Sequence, residues 1–283
     1  TIPVRRRFRN AEGQAEYNFS LSSGRKPAGI SAMLRVKNEE ALIHQCLDSI
    51  YDTFDEIVVI DNGSEDRTLE LVRQFASEHD HENKIQVEQY PFNIARCGTE
   101  HENTSEDSLH SLVYYYNWCL SRCTRSYVCK WDADLLLNSG QPARERLRQF
   151  LTNSSRNRPL VVGQLDVQTI YIDKNGSRFH SNHEVNREVR AFPNTASIFF
   201  EKAPLWEQLK IPPDIPMWTF STSGIEEIKD VRLDEFSHWT PGAALSPRKE
   251  LEFENYNLIK QELVEVFPTR FSPEQAESSR PQV

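Results

Sequence analysis

The sequence contains no long hydrophobic run. No apolar stretch approaches the ~20 residues that a helix needs to span a bilayer. The first residues also lack the apolar region of a secretory signal peptide, so we expect none. These absences argue against a membrane-spanning protein. They favour a cytoplasmic location, with or without peripheral contact at the inner face of a membrane.

Cysteine is scarce and shows no pairing pattern. The five cysteines are odd in number, and none belongs to a Cys-x-x-Cys pair: Cys46, Cys97, Cys119, Cys123 and Cys129. This pattern excludes a disulfide scaffold and favours a reducing compartment. We expect these thiols to be buried and structural.

An excess of basic charge is also missing. The 283 residues include 33 Lys+Arg and 42 Asp+Glu, which gives a formal net charge of −9. A chain this acidic is a poor candidate for binding nucleic acid through bulk charge, so no nucleic-acid partner is expected. Its length predicts one large domain or two small ones, at roughly 100–200 residues each.

What the first half does contain is an alternation of apolar runs and helical periods. Four strands are predicted at 30–36, 56–60, 85–90 and 127–131. Predicted helices follow the first two strands, with Asn38 as the N-cap of the first and Ser64 or Asp66 opening the second. A third helix is predicted over about 106–123. This order predicts an α/β fold with a Rossmann-like, mostly parallel sheet flanked by helices.

The second half is less regular, and we expect a mixed region there. One or two strands are predicted over 161–173, and others at 188–192 and 196–200. A short helix is predicted at 204–209 and a longer one at 248–267.

Polar residues follow three of the predicted strands. Asn38, Asp61 and Asp132 come at strand ends that right-handed crossovers bring to one edge, where open α/β sheets bind ligands. Asp61 could accept the imide N–H of uracil or a ribose hydroxyl. The alternative for this segment is a well-built β–α turn around Asn62-Gly63.

Asp132-Ala133-Asp134 forms a D-x-D triplet at the end of an apolar strand. Two carboxylates on one turn suit a hard divalent cation such as Mg²⁺ or Mn²⁺, which leaves room for substrate phosphates. The alternative is a polar turn after a strand.

Three segments together resemble the signature blocks of GT-A fold glycosyltransferases of family 2. They are "ISAMLRVKNEEALIHQCLDSI", "FDEIVVIDNGSEDRTLELV" and "VCKWDADLLL", in that order. The resemblance covers roughly residues 29–137. The segment "EVRAFPN", residues 188–194, is similar to one found after the D-x-D in some members, with lower specificity.

The resemblance implies a nucleotide-sugar donor and a divalent cation, Mn²⁺ or Mg²⁺. Carried over by position, Asn38 and Glu39 would line the nucleoside pocket, and Asp61 would contact the base. Asp132 would face the ribose or the metal, and Asp134 would bind the metal and the diphosphate.

Further donor-side residues are implied less directly. Arg96 and Lys130 would be neighbours of the diphosphate. Many GT-A enzymes use a late histidine as a metal ligand, and His238 is the candidate here, with His180 and His183 as alternatives. A half-buried histidine packed beside Trp239 explains His238 equally well.

Members of family 2 invert the anomeric centre, which requires a base for the acceptor hydroxyl. The acidic pair usual near the acceptor site is missing, so the candidates stay open: Glu226, Glu227, Glu207 and Asp234. A solvated face explains each of these carboxylates individually. Trp206, Trp218 and Trp239 are candidates for stacking on an acceptor sugar.

The chain then divides into four parts: an N-terminal arm or linker (1–28), a nucleotide-sugar-binding half (29–137), an acceptor-side half of the same GT-A domain (138–270) and a loose tail (271–283). It could be one module of a longer chain.

The leading hypothesis is a metal-dependent inverting glycosyltransferase. It would move one sugar from a nucleotide-sugar, with a UDP-sugar favoured, to a glycan or lipid-linked glycan acceptor in bacterial surface polysaccharide or lipopolysaccharide synthesis. The alternative is a degenerate, non-catalytic sugar-binding or assembly module. A nucleotidyltransferase is disfavoured because "RVKNEEA" lacks the glycines expected after the first strand. A phosphatase would carry its D-x-D after the first strand, not the fourth.

Overall fold

The structure is a computed structural model. It describes residues 4–137, 141–157, 160–181, 186–221, 224–233, 247–264 and 270–273. The strands are β1 Arg5–Phe8, β2 Phe19–Ser22, β3 Ile30–Val36, β4 Glu56–Asp61, β5 Ile85–Gln89, β6 Tyr127–Asp132, β7 Leu135–Leu137, β8 Val162–Ile172, β9 Arg178–Ser181, β10 Asn186–Pro193, β11 Phe199–Lys202, β12 Glu207–Lys210, β13 Met217–Phe220, β14 Ile225–Asp230 and β15 Phe271–Pro273. The helices are α1 Ile43–Ile50, α2 Thr68–His79, α3 Thr99–Asn103, α4 Leu112–Arg122, α5 Gln141–Arg156 and α6 Pro247–Lys260.

Four parallel strands form one end of the main sheet, in the order β6-β3-β4-β5, with β5 at its edge. Their carboxyl ends therefore meet at one edge, as the sequence predicts. β3 and β4 are buried over almost their whole length, which explains why their sequences are continuous apolar runs rather than alternating ones.

Antiparallel strands extend this sheet into the second half of the chain. β10 pairs with β6 and β8, and β9 pairs with β8 and β15. β8 also runs parallel to β13 and β14, and β14 pairs with β7. The predicted α/β fold with a mixed second region is thus confirmed.

Both faces of the central sheet are covered. Along β4, Ile57 and Val59 pack on the side of α1, α2 and α5, whereas Val58 and Ile60 pack on the side of α4. This alternation follows from the two-residue period of a strand. With helices on both sides, the open edge at the strand ends is the accessible place for a ligand.

The N-terminal segment packs on α4. β1 and β2 form a two-stranded antiparallel sheet in which Leu21 is buried. The rings of Phe19 and Tyr114 lie 5.3 Å apart in an edge-on arrangement. The segment expected as an arm or linker therefore contains an ordered sheet, while the division of the chain into four parts stays a prediction.

The helix expected over about 106–123 begins only at Leu112, and two further local predictions are wrong. Residues 204–209 were expected to be helical, but Glu207–Lys210 forms β12, which pairs with β11 in register Lys202↔Glu207. Strand pairing outweighs the weak local helix preference there. Asn38 does not cap a helix: it adopts φ 58°, and α1 begins at Ile43.

The cysteines are free, and four of them are buried as expected: Cys46, Cys119, Cys123 and Cys129. Cys97 is exposed, in the loop after β5. In the described ranges, no helix is both long and apolar enough to cross a membrane.

Asn117 connects α4 to the β11–β12 hairpin. Its side-chain amide donates to the Phe200 carbonyl at 2.8 Å and accepts from the Phe200 N–H at 2.9 Å, and the residue is fully buried. Asn117→Ala should lower the free energy of unfolding by about 1–3 kcal/mol, because both backbone groups lose their partner.

Urea denaturation would measure this loss. Asn103→Ala is the matched control: Asn103 bonds a carbonyl of its own helix from an exposed position, and its loss should cost under ~0.5 kcal/mol. Equal losses in the two variants would contradict the role given to Asn117.

Candidate functional site

The register of the parallel strands brings the predicted donor-side residues to one edge. Across β3 and β6, Arg35 lies opposite Asp132, and across β3 and β4, Val36 lies opposite Asp61. Because neighbouring strands are about 4.8 Å apart, the backbones of Asp61 and Asp132 are about 10 Å apart, with β3 between them. A ligand of nucleotide size could contact both.

The loops after β3 and β4 are joined by side chains. The Asp61 carboxylate is buried and accepts from the backbone N–H groups of Gly63 (3.1 Å) and Ser64 (3.2 Å). Asn38 accepts from the Glu65 N–H at 2.8 Å and donates its own N–H to the Ser64 hydroxyl at 3.0 Å. Asn38 and Asp61 therefore build the loops of the edge, whatever else they bind.

A second set of bonds tightens the same pair of loops. The Glu39 N–H donates to the Thr68 hydroxyl at 2.7 Å, and the Glu40 N–H donates to Asp66 at 3.0 Å. Asp66 also accepts from the Thr68 N–H at 2.9 Å, at the start of α2. The segment carrying Glu39 is thus held against the N-terminal end of α2.

Asn62 has a positioning role that the sequence analysis missed. Its side-chain amide donates to the carbonyls of Tyr90 (2.9 Å) and Phe92 (2.7 Å) and so connects the loop after β4 to the chain leaving β5. The Asn62-Gly63 pair was interpreted only as a turn, because a dipeptide signal carries no information about distant carbonyls.

Asp132 is neutralised by two arginines. Its carboxylate accepts from Arg35, and its other oxygen lies 2.8 Å from Nη1 of Arg190. Burial alone would raise the pKa of Asp132, but Arg35, Arg190 and Lys130 outweigh it and hold that pKa well below its usual range. Asp132 is therefore ionised, and each of its two carboxylate oxygens pairs with an arginine.

Asp134 faces a lysine. Oδ2 of Asp134 lies 2.7 Å from Nζ of Lys229, whose side chain is 2% exposed and also lies 3.2 Å from Oε1 of Glu227. Burial raises the pKa of Asp134 despite Lys229, and the charges of Glu227 and Asp132 add to the rise. For Glu227, Lys229 and other cations outweigh burial, so its pKa is lowered.

Glu188 extends this network. Its carboxylate lies 3.0 Å from Arg190, 2.5 Å from Arg248 and 3.7 Å from Lys130. Glu188 and Arg190 belong to the segment "EVRAFPN", whose sequence by itself gives them no role. Only the pairing of β10 beside β6 places them next to the D-x-D.

We refer to the connected ionic side chains as the charge cluster. Its members are Arg35, Lys130, Asp132, Asp134, Glu188, Arg190, Glu227, Lys229, Arg248, Lys249 and Glu252. The predicted donor-side residues Lys130, Asp132 and Asp134 and the base candidate Glu227 belong to it.

The other described base candidates, Glu226 and Glu207, are not members of the charge cluster. Glu226 points to the opposite side of β14 from Glu227, since successive residues of a strand alternate, and it pairs with Arg178 at 2.6 Å. Glu207 is half-buried on β12. Asp234 lies outside the described residues.

Glu207 lies within electrostatic reach of Arg35. Burial lowers the pKa of the Arg35 guanidinium, but the acidic groups around it, Tyr116 first and Glu207 among them, raise it overall. Within the described part of the chain, the Glu207 carboxylate forms no hydrogen bond or ion pair. Of the described base candidates, it is the carboxylate still available to a substrate.

The remaining predicted residues are spread more widely. Arg96 lies in the loop after β5, where its backbone N–H donates to the Glu100 carboxylate at 3.0 Å. His180 lies on β9, opposite Ile170 of β8. His183 and His238 fall outside the described residues.

The side chains as placed do not fit the divalent cation that the sequence suggested. Asp134 faces the Lys229 ammonium, and Asp132 faces two guanidinium groups, so both are already neutralised. Among the residues that the structure describes, no group of three or more His, Cys, Asp or Glu side chains could hold a metal ion. The D-x-D is therefore present as a sequence motif but is built into ion pairs.

Part of the chain matches a known family. Residues 31–93 match the family model described as Glycosyl transferase family 2. The match runs from β3 to the chain after β5, and it includes Asn38, Glu39 and Asp61 but not the D-x-D. No curated protein matches the chain in sequence.

Several solved glycosyltransferase structures are similar over part of the chain. Staphylococcus aureus TarS 1-349, in complex with UDP, is 18% identical over 51% of this chain and 36% of its own, with a TM-score of 0.34. Glucosyl-3-phosphoglycerate synthase from Mycobacterium tuberculosis, with Mn²⁺, UDP and its product, is 19% identical over 52% of this chain and 44% of its own, with a TM-score of 0.33.

A third similar structure is the mannosyltransferase PcManGT from Pyrobaculum calidifontis, in complex with GDP-Man and Mn²⁺. It is 23% identical over 50% of this chain and 37% of its own, with a TM-score of 0.34. The chain thus spans between 36% and 44% of the length of these three proteins.

The pairing of Asp132 predicts a pH-dependent stability. Since the folded pKa lies below the unfolded value of about 3.9, the ionised carboxylate stabilises the fold fully above about pH 4. This contribution is lost as the pH falls through the folded pKa. We expect the stability difference between wild type and Asp132→Asn to be largest near neutral pH and to narrow below about pH 4.

Urea denaturation at a series of pH values would measure this difference. Asp214→Asn, at an exposed loop position, is the control and should differ little from wild type at any pH. A difference for Asp132→Asn that stays constant from about pH 7 to about pH 3 would contradict the prediction.

Proposed function

We propose that this chain transfers a glycosyl group from a nucleotide-sugar donor bound at the carboxyl ends of β3, β4 and β6. One observation supports the proposal most strongly. The segment matching Glycosyl transferase family 2 supplies the loops after β3 and β4, and the charge cluster, which contains both D-x-D aspartates, lies at the same edge of the sheet. The donor would lie across β3, between Asp61 and Asp132.

The nucleoside and the diphosphate of the donor would contact different kinds of residues. The nucleoside would lie on the loops that contain Asn38, Glu39 and Asp61, where backbone and carboxylate groups can bond a base or ribose. The diphosphate would lie on the charge cluster, where Lys130 and Arg248 are partly exposed cations. Uracil is the base we propose, because a carboxylate such as that of Asp61 can accept its imide N–H.

The transfer we propose is an inverting single displacement. The acceptor oxygen forms a bond to the anomeric carbon as the bond from that carbon to the diphosphate oxygen breaks, and the electron pair leaves with the nucleoside diphosphate. A base takes the proton of the acceptor hydroxyl. The side-chain cations of the cluster stabilise the charge that develops on the leaving diphosphate.

Glu207 is the base we propose. Two features support it: its carboxylate is not committed to an ion pair in the described structure, and it lies in the electrostatic field of Arg35. Glu227, in contrast, is 6% exposed and bonded to Lys229, Arg248 and Asn186.

The acceptor side of the proposal rests on the second half of the chain. Trp206 and Trp218 are 43% and 37% exposed, and such rings can stack on sugars, while Trp239 falls outside the described residues. We propose a glycan or lipid-linked glycan acceptor, as in bacterial surface polysaccharide or lipopolysaccharide synthesis.

Nucleotide binding provides the first test. A nucleoside diphosphate at a hundredfold excess over its Kd should stabilise the fold by about 2.7 kcal/mol and raise the melting temperature by several degrees. A panel of nucleoside diphosphates would be compared with the free nucleosides. Asp61→Asn, which keeps one acceptor oxygen for the turn, should reduce the shift.

Asp214→Asn is the control for Asp61→Asn and should keep the full shift. No shift with any nucleotide, in folded protein with and without Mn²⁺, would sink the proposed function. Binding without turnover on any acceptor would favour the non-catalytic sugar-binding module.

The base assignment gives a second prediction. Glu207→Gln should lower kcat by about 10²–10⁴-fold with little change in donor binding, because a base acts on the acceptor and not on the nucleotide. The measurement is nucleoside diphosphate release from a nucleotide-sugar in the presence of glycan acceptors. Glu226→Gln, on the far face of β14, is the matched control and should stay active. Loss of activity in Glu226→Gln alone would reverse the assignment.

A further inference from the structure

The charge cluster is positive without any added ion. Within the described structure, six cations (Arg35, Lys130, Arg190, Lys229, Arg248 and Lys249) are connected to five carboxylates (Asp132, Asp134, Glu188, Glu227 and Glu252). The formal net charge is therefore +1. A divalent cation is held by ionised carboxylate oxygens, and here each D-x-D carboxylate already faces a side-chain cation.

Backbone pairing places Lys229 beside Asp134. β14 runs antiparallel to β7 with Glu227 opposite Leu135, and the Ile228 N–H donates to the Asp134 carbonyl at 2.9 Å. Side chains at 227 and 229 project to the same side of β14. Lys229 is thus built in by the sheet and does not reach Asp134 from a surface loop.

Lys229 is surrounded by carboxylates at short range. Its ammonium lies 2.7 Å from Asp134, 3.2 Å from Glu227 and 3.7 Å from Glu252, and its side chain is 2% exposed. An ammonium can donate three hydrogen bonds, and a buried one needs such partners to remain charged. The surroundings of Lys229 therefore suit a permanent cation among carboxylates.

Asp132 receives its cations from the strands on either side. Arg35 comes from β3, directly opposite in the register, and Arg190 comes from β10, on the other side of β6. Arginine is always charged in proteins, so neither partner can withdraw by losing a proton. A metal ion approaching Asp132 or Asp134 would meet these fixed positive charges within a few ångströms and be repelled.

We propose that Lys229, together with Arg35 and Arg190, takes the place of the divalent cation, so that the protein binds the diphosphate of a nucleoside diphosphate without a metal ion. This inference rests on the proposed function, since it concerns the same donor site. The buried cations neutralise the two D-x-D carboxylates, and the more exposed Lys130 and Arg248 then contact the diphosphate. The negative charge on the leaving group is balanced by protein side chains.

The test has two measurements on the wild-type protein. Calorimetric titration with UDP and with GDP, in EDTA and in Mn²⁺, should give Kd values that agree within about twofold. Electron paramagnetic resonance of Mn²⁺ titrated into the protein alone should show no stoichiometric binding. The second readout depends on neither nucleotide nor activity.

Variants of Lys229 make the test specific. Lys229→Met removes the charge at similar length, so UDP binding in EDTA should weaken by at least about tenfold, and Mn²⁺ should now bind between the unpaired carboxylates. Lys229→Arg keeps the charge and should keep metal-free binding. Lys210→Met is the control, because Lys210 is exposed and pairs with Glu201, which is not a member of the charge cluster.

The outcomes separate this inference from the proposed function. UDP or GDP binding that requires Mn²⁺ would overturn the inference and leave the proposed function standing. Stoichiometric Mn²⁺ binding by the wild type would also overturn it. No nucleotide binding under either condition would overturn both. If Lys229→Met does not fold, the wild-type titrations and Lys229→Arg still decide the question.

Discussion

The ion pair between Arg35 and Asp132 is the interaction on which the rest of the site depends. β3 lies between β4 and β6, and its register sets Arg35 across from Asp132 and Val36 across from Asp61. Arg35 neutralises this half-buried carboxylate at the end of an apolar strand, where an unpaired charge would be costly. Arg190 and Glu188 of β10 continue the pairing outward, so the cluster grows from one register.

The edge of the sheet at the carboxyl ends of β3, β4 and β6 contains two kinds of polar interaction, hydrogen bonds within loops and a network of ion pairs. On the β4 side, Asp61 and Asn38 are used in hydrogen bonds that shape loops, and such bonds leave little freedom of position. On the β6 side, the polar groups are ionic and form a network in which several charges, Asp132, Arg190 and Lys229 among them, have more than one partner. A buried network of this kind is strongly destabilised when one member is removed, because the partners are left uncompensated. Donor binding would use the rigidity of the first side and the charge of the second.

Much of the architecture could be predicted because it depends on short-range pattern. The first predicted strand coincides with β3, the next three differ from β4, β5 and β6 by at most one residue, and the shared edge followed from crossover handedness. The hairpin of β11 and β12 was missed because the weak helical period of residues 204–209 is overridden by pairing with a neighbouring strand. Glu226 and Glu227 could not be distinguished by sequence, since only the orientation of β14 decides which one faces Asp134.

The sequence by itself determined the α/β order, the two loop motifs after β3 and β4, and the presence of two aspartates at the end of β6. These features depend on residue type and spacing along the chain. The tertiary structure alone decided what those aspartates face: Arg190 and Lys229 lie 58 and 95 residues from their carboxylate partners in the chain. Coulomb interactions depend on distance in space, so the charges that decide between a metal ion and an ammonium are visible only in the folded protein.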